Sequence, residues 1–243
     1  MSISVLIRRF QKSIGRRGLV GTVAIVPTML WREAREVLPY RRYRRRRAMQ
    51  AGQEFDRAYC IDTVKAVDLA YLKIPFSSWL HGNLYQPIWP KGFRQLLGAA
   101  KIQFETSTFI DFGCGKGRAL ALASEYPFRR IVGVEFALEL YEICKRNMKT
   151  MRAPAQRCDQ IEVLNADALE YTLPDEPLVA YLYNPFGPPV MNLLVVRFEA
   201  SWRAHRRKII VLYETPECAE VWRKSEVFRE VVRAQEYSIF EAP

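Results

Sequence analysis

Short apolar runs recur along the second half of this 243-residue chain, each the length of a strand and each ending on polar or glycine-rich residues. The first is Phe109-Ile110-Asp111-Phe112, the second Ile131-Val132-Gly133-Val134, the third Ile161-Glu162-Val163-Leu164, the fourth residues 178–183 and the fifth Ile209-Ile210-Val211-Leu212-Tyr213. Between them lie segments rich in helix formers: Ala119-Leu120-Ala121-Leu122-Ala123, residues 139–149 and residues 189–204. Apolar strands alternating with helices predict βαβ units and a parallel sheet covered on both faces. A further helical run is expected over 91–100.

The first run enters Gly113-Cys114-Gly115-Lys116-Gly117 before the alanine-leucine helix begins, so three glycines occupy a tight strand-to-helix turn. Glycine permits positive φ there and lets backbone approach a ligand closely. The dinucleotide fingerprint G-x-G-x-x-G requires glycine at position 118, where Arg118 stands, and that weakens a nicotinamide reading. The second run ends on Glu135, 24 positions after Asp111, and an acid at a second strand end accepts hydrogen bonds from two ribose hydroxyls. The third runs into Asn165-Ala166-Asp167-Ala168, and the fourth into Asn184-Pro185-Phe186-Gly187.

Asp111 followed by G-x-G-x-G resembles motif I of the class I S-adenosylmethionine-dependent methyltransferases, and the resemblance covers roughly residue 104 onward. It implies a Rossmann-like α/β sandwich: a mostly parallel seven-stranded sheet with helices on both faces, closed by an antiparallel pair at 228–232 and 236–240. It also implies S-adenosyl-L-methionine as cofactor, with Asp111, Gly113, Gly115 and Gly117 cradling its methionine half, Glu135 on the ribose, and Asp167 with Ala168 near the adenine. Family members that methylate planar amino groups carry Asn or Asp, Pro, Pro, then an aromatic residue at the fourth strand end. Asn184 and Phe186 match that pattern with one proline fewer, which implies that they orient the methyl acceptor and that Asn184 also borders the cofactor.

The segment Asp56-Arg57-Ala58-Tyr59-Cys60-Ile61-Asp62-Thr63, followed by Tyr85-Gln86-Pro87, is similar to a bacterial methyltransferase-like group of unassigned substrate. Tyr85, Asp62 and Thr63 are therefore expected as lid or substrate contacts, or as ordinary turn and capping residues. These signals divide the chain into a basic helical extension (1–52), a helical cap (53–103) and the methyltransferase domain (104–243).

Charge changes the picture only at the N-terminus. Through residue 52 there are 13 lysines and arginines against 2 acids, and the remainder carries 24 of each, so the entire +11 excess resides in the extension. Ile3, Leu6, Ile7, Phe10 and Ile14 fall on one side of a basic helix that suits an anionic membrane surface and equally a face of its own domain. Residues 18–31 are apolar but too short, and interrupted by Pro27, to span a bilayer. Five cysteines without C-x-x-C spacing exclude a zinc ribbon and fit a reducing cytoplasm, and with His81 and His205 as the only histidines no metal centre is expected.

The expected activity is methyl transfer to a nitrogen or oxygen acceptor. A protein amine or amide is favoured, a small or lipid-like molecule at a membrane comes next, and nucleic acid is disfavoured by the neutral domain. A non-catalytic nucleotide-binding adaptor is the alternative from another class.

Overall fold

The computed structural model describes residues 39–67, 72 and 85–243. The basic amphipathic segment over residues 3–14 and the apolar stretch over 18–31 lie outside the described residues. In chain order the elements are α1 (Pro39–Tyr59), α2 (Pro90–Ala99), β1 (Thr108–Phe112), α3 (Arg118–Ala123), β2 (Arg130–Glu135), α4 (Leu138–Thr150), β3 (Ile161–Asn165), β4 (Leu178–Tyr183), α5 (Pro188–Ala204), β5 (Ile209–Glu214), α6 (Ala219–Arg223), β6 (Arg229–Arg233) and β7 (Tyr237–Ala242). α1 runs through position 52 without a break.

The strands form one seven-stranded sheet in the order β3-β2-β1-β4-β5-β7-β6. β1 to β5 are mutually parallel, whereas β7 inserts antiparallel between β5 and β6. Parallel strands with helices on both faces bury both sets of side chains, which is why β1, β4 and β5 read as nearly unbroken apolar runs. Ile110, Phe112, Leu182, Val211 and Tyr213 point to a core shared with Met191, Phe198 and Trp202 of α5 and Trp222 of α6. Phe109, Val179, Tyr181 and Leu212 point the other way, onto Phe93, Leu96 and Leu97 of α2, the alanines and leucines of α3, and Phe55 and Tyr59 of α1.

α1 is thus held to the sheet by its C-terminal half. Tyr59 also donates its hydroxyl to Glu125, which Arg94 of α2 grips at 3.0 Å. Because β2 and β3 lie on one side of β1 and β4 on the other, the order in which the chain adds strands reverses between β1 and β4. The C-terminal ends of those strands part there and open the crevice in which doubly wound sheets bind ligands. Among the described residues no helix is long and apolar enough to cross a membrane.

Candidate functional site

Asp111 lies near the end of β1, and the chain then passes through Gly113, Gly115 and Gly117 at φ of +81°, +55° and +87°. All three are left-handed conformations that cost other residues roughly 1–2 kcal/mol each, which accounts for the glycine spacing. Their missing side chains also make room. A Cβ on Gly113 would stand 3.0 Å from Pro185 Cβ, and one on Gly117 would stand 2.6 Å from Cys144 Sγ. On Gly115 it would lie 2.2 Å from the ring of Tyr85. The turn is therefore pressed from three sides, by the loop after β4, by α4 and by the segment before α2.

Glu135, at the end of β2, reaches back to this turn. One carboxylate oxygen accepts the Gly115 N–H at 2.8 Å and the other accepts the Ala137 N–H at 2.9 Å. Burial pushes its pKa up to about 7, against the downward pull of these N–H donors. Burial also raises the Asp111 carboxyl well above the ordinary range, and the neighbouring Glu135 charge adds to the shift. Among the described residues Asp111 makes no ion pair, and the one arginine on the cleft wall, Arg118, is committed to Asp56 at 3.0 Å.

Asp111, Gly113, Gly115, Glu135, Tyr85, Asn184 and Phe186 all line one cleft. Its free volume is about 60 Å³, well below the roughly 300 Å³ at which small-molecule clefts begin, and Tyr85 lies on Gly115 within it. Tyr85 thereby forms the cover of the glycine turn. Tyr85 is tethered meanwhile by its hydroxyl, which donates to the Thr63 carbonyl at 2.8 Å, and by backbone pairing with Val67.

On the other wall, Asn184 closes β4 at φ +41°, a left-handed conformation that a short amide side chain tolerates. Its Oδ1 accepts the Tyr213 hydroxyl at 3.4 Å, and Tyr213 in turn accepts the Cys218 N–H at 3.1 Å. Phe186 is buried in the sheet's α5-side core and also lines the cleft. Tyr181 lines the cleft floor and donates its hydroxyl to Glu214, whose carboxyl burial raises.

Three expected residues stand apart. Asp167 and Ala168 follow β3 outside the lining of this cleft: Asp167 accepts the Leu169 N–H at 2.8 Å as a turn cap, and Ala168 is buried in the core. Gly117 serves as the N-cap of α3 instead of as a wall of the cleft. Cys114 is a buried filler, its sulfur 3.9 Å from that of Cys144. Sequence reasoning missed Arg118 and Asn147, both buried beneath the turn. A lone arginine heading an otherwise apolar helix was the signal for the first.

Two desolvated carboxyls facing a cleft, with the backbone of Gly113 exposed beside them, form a receptor for a ligand that brings a cation and hydroxyl donors. The methionine ammonium, sulfonium and ribose of S-adenosylmethionine supply that set. No family model matches the chain. Over 90 residues, 35% of this chain, it is 38% identical to the rRNA N(6)-adenosine-methyltransferase metl-5 of Caenorhabditis elegans, and it spans 40% of that protein's length. Among solved structures it is similar to an RNA methyltransferase of Salinibacter ruber in complex with S-adenosyl-L-homocysteine (18% identity, 64% of this chain and 92% of that one, TM-score 0.43). It is also similar to a predicted N6-adenine-specific DNA methylase of Listeria monocytogenes (15% identity, 65% and 51%, TM-score 0.48). The fold, from strand order to the place of its glycine turn, is that of the class I S-adenosylmethionine-dependent methyltransferases.

Proposed function

We propose that this chain is an S-adenosylmethionine-dependent methyltransferase whose acceptor is the exocyclic amino group of an adenine in RNA. The observation that carries the reading is the contact between the two loops. Pro185 of the Asn184-Pro185-Phe186 turn packs on Gly113, so whatever Asn184 holds is delivered beside the glycine turn that holds the donor. The 38% identity with an rRNA N6-adenosine methyltransferase supports adenine over the protein amine or amide that the neutral domain charge suggested.

When bound, S-adenosylmethionine supplies a methyl group already activated as a sulfonium. The chain's own residues then orient and desolvate. Asp111 offers its carboxylate to the ammonium, and Glu135 offers both oxygens to the ribose hydroxyls while fixing the Gly115 N–H. Tyr85 covers the turn and excludes water. Asn184, held by Tyr213, turns its side-chain amide to the acceptor amine, aligning the nitrogen for in-line transfer.

The test is to incubate the full chain with tritiated S-adenosylmethionine and a cell lysate and to sort the label into RNA, protein and lipid. Label in RNA that migrates as N6-methyladenosine after nuclease digestion is the expected result. Label confined to protein or lipid refutes the adenine acceptor, and no transfer to any fraction together with no cofactor binding refutes the enzyme.

A further inference from the structure

Beneath the glycine turn lies a buried polar cluster that no catalytic role absorbs. Asp56, near the end of α1, accepts four hydrogen bonds: from Thr63 N–H at 2.6 Å, Val64 N–H at 2.8 Å, the Thr63 hydroxyl at 2.5 Å and Arg118 Nη2 at 3.0 Å. Arg118, the first residue of α3, is itself 5% exposed. Its Nε donates to the Thr63 hydroxyl at 2.6 Å, its other nitrogens reach the carbonyls of Gly52 and Ile88 at 3.4 Å, and its guanidinium stacks on Phe55 at 4.7 Å.

Asn147 of α4 makes a second clamp. Its Nδ2 donates to the Lys116 carbonyl at 2.8 Å and the Asp62 carbonyl at 3.1 Å, while its Oδ1 accepts the Asp62 N–H at 2.9 Å. The 56–63 segment is thereby bonded to both sides of Gly117. Thr63 is the node: its hydroxyl joins Asp56 to Arg118, and its carbonyl holds Tyr85 over Gly115.

We infer that the 56–63 segment belongs to the cofactor-binding machinery, with Thr63 a positioning residue that acts through Arg118 and Tyr85 to keep the glycine turn in its ligand-accepting shape. A guanidinium bonded on three edges and stacked on a ring has one placement, and it fixes the residue directly after Gly117. This inference rests on the cofactor reading above. It goes beyond it in assigning part of the cofactor site to residues that line no cleft wall around the turn and precede it in sequence by fifty positions or more.

The test is calorimetric titration of the full chain with S-adenosyl-L-homocysteine, alongside the ligand-free melting temperature. Thr63→Val keeps the shape and removes the hydroxyl, and it should weaken binding about tenfold. Thr63→Ser restores the hydroxyl and should bind within about twofold of the wild type. Arg118→Lys, which lacks the planar fork, should weaken binding at least as much as Thr63→Val. Trp202→Phe, remote at the C-terminal edge and bonded to the Pro243 carbonyl, should lower melting while leaving affinity unchanged, which separates positioning from general destabilisation. Wild-type affinity in Thr63→Val, or equal losses in Thr63→Val and Thr63→Ser, overturns the inference. Should Arg118→Lys fail to fold, the near-isosteric Thr63 pair decides alone. If the wild type itself does not bind the ligand, the cofactor reading falls first and the inference with it.

Discussion

Replacing Glu135 with glutamine should weaken S-adenosylmethionine binding and flatten its dependence on pH. In the ligand-free protein burial holds this carboxyl at about 7, so about a tenth of it is ionised at pH 6 and about nine-tenths at pH 8. Ribose hydroxyls that donate to the carboxylate favour its charged form, so binding draws the pKa down and expels the proton. Affinity in the wild type should therefore rise roughly tenfold from pH 6 to pH 8, with about half a proton released per complex at pH 7. A hydrogen bond to a charged group is worth about 1.5–3 kcal/mol, so Glu135→Gln should cost one to two orders of magnitude at pH 8 and far less at pH 6, where glutamate is itself mostly neutral. The sign for stability is opposite. A carboxyl raised on folding contributes most below the unfolded value of 4.5, and that contribution is lost as pH climbs through 7, by about 3 kcal/mol in all. The ligand-free wild type should melt lower at pH 8 than at pH 6, and the glutamine variant should lose much of that difference. Titration calorimetry at pH 6, 7 and 8, in buffers of differing ionisation enthalpy, reads affinity and proton release together. A wild-type affinity flat across this range, or a glutamine variant with the same slope, would refute the placement of Glu135 on the ribose.

Gly115→Ala sets a methyl group 2.2 Å from the Tyr85 ring at φ +55°, so it should displace Tyr85 and abolish the thermal shift that S-adenosylmethionine produces. Asn184→Ala should lower kcat about a hundredfold on an RNA acceptor while cofactor affinity stays near that of the wild type; parallel losses of both would place Asn184 with the cofactor alone. Trp222→Ala removes a fully buried ring set edge-on to Phe198 and Phe228 and stacked on Phe240, and chemical denaturation should report a loss of about 3–5 kcal/mol.

The sheet was legible in the sequence because burial on both faces writes a parallel strand as a contiguous apolar run. β1, β2, β4 and β5 each stand within a residue or two of their expected places. The glycine turn, Glu135 and Asn184 were legible for a related reason: each sits at the carboxyl end of such a run, where backbone geometry dictates the residue type. α1 left no comparable sign, since arginines fill its first half and its docking surface is the short series Phe55, Asp56 and Tyr59. Asp167 is harder to place from sequence, because an acid after a strand serves equally well as a local turn cap, and it makes such a bond to the Leu169 N–H. The links from Arg118 to Asp56 and from Asn147 to Asp62 join residues 62 and 85 positions apart, and no local pattern encodes such a meeting.

The position of β7 has a consequence for the order in which this protein can be assembled. Its partners β5 and β6 both precede it in the chain yet lie on either side of it. While the polypeptide is being synthesised, everything up to residue 236 can emerge and still leave β5 as a raw sheet edge and β6 with no strand to join. Six residues, 237–242, then complete both pairings in one step. A nascent chain stalled before that step presents an apolar parallel sheet with an open border, the kind of surface that chaperones hold and that aggregates recruit.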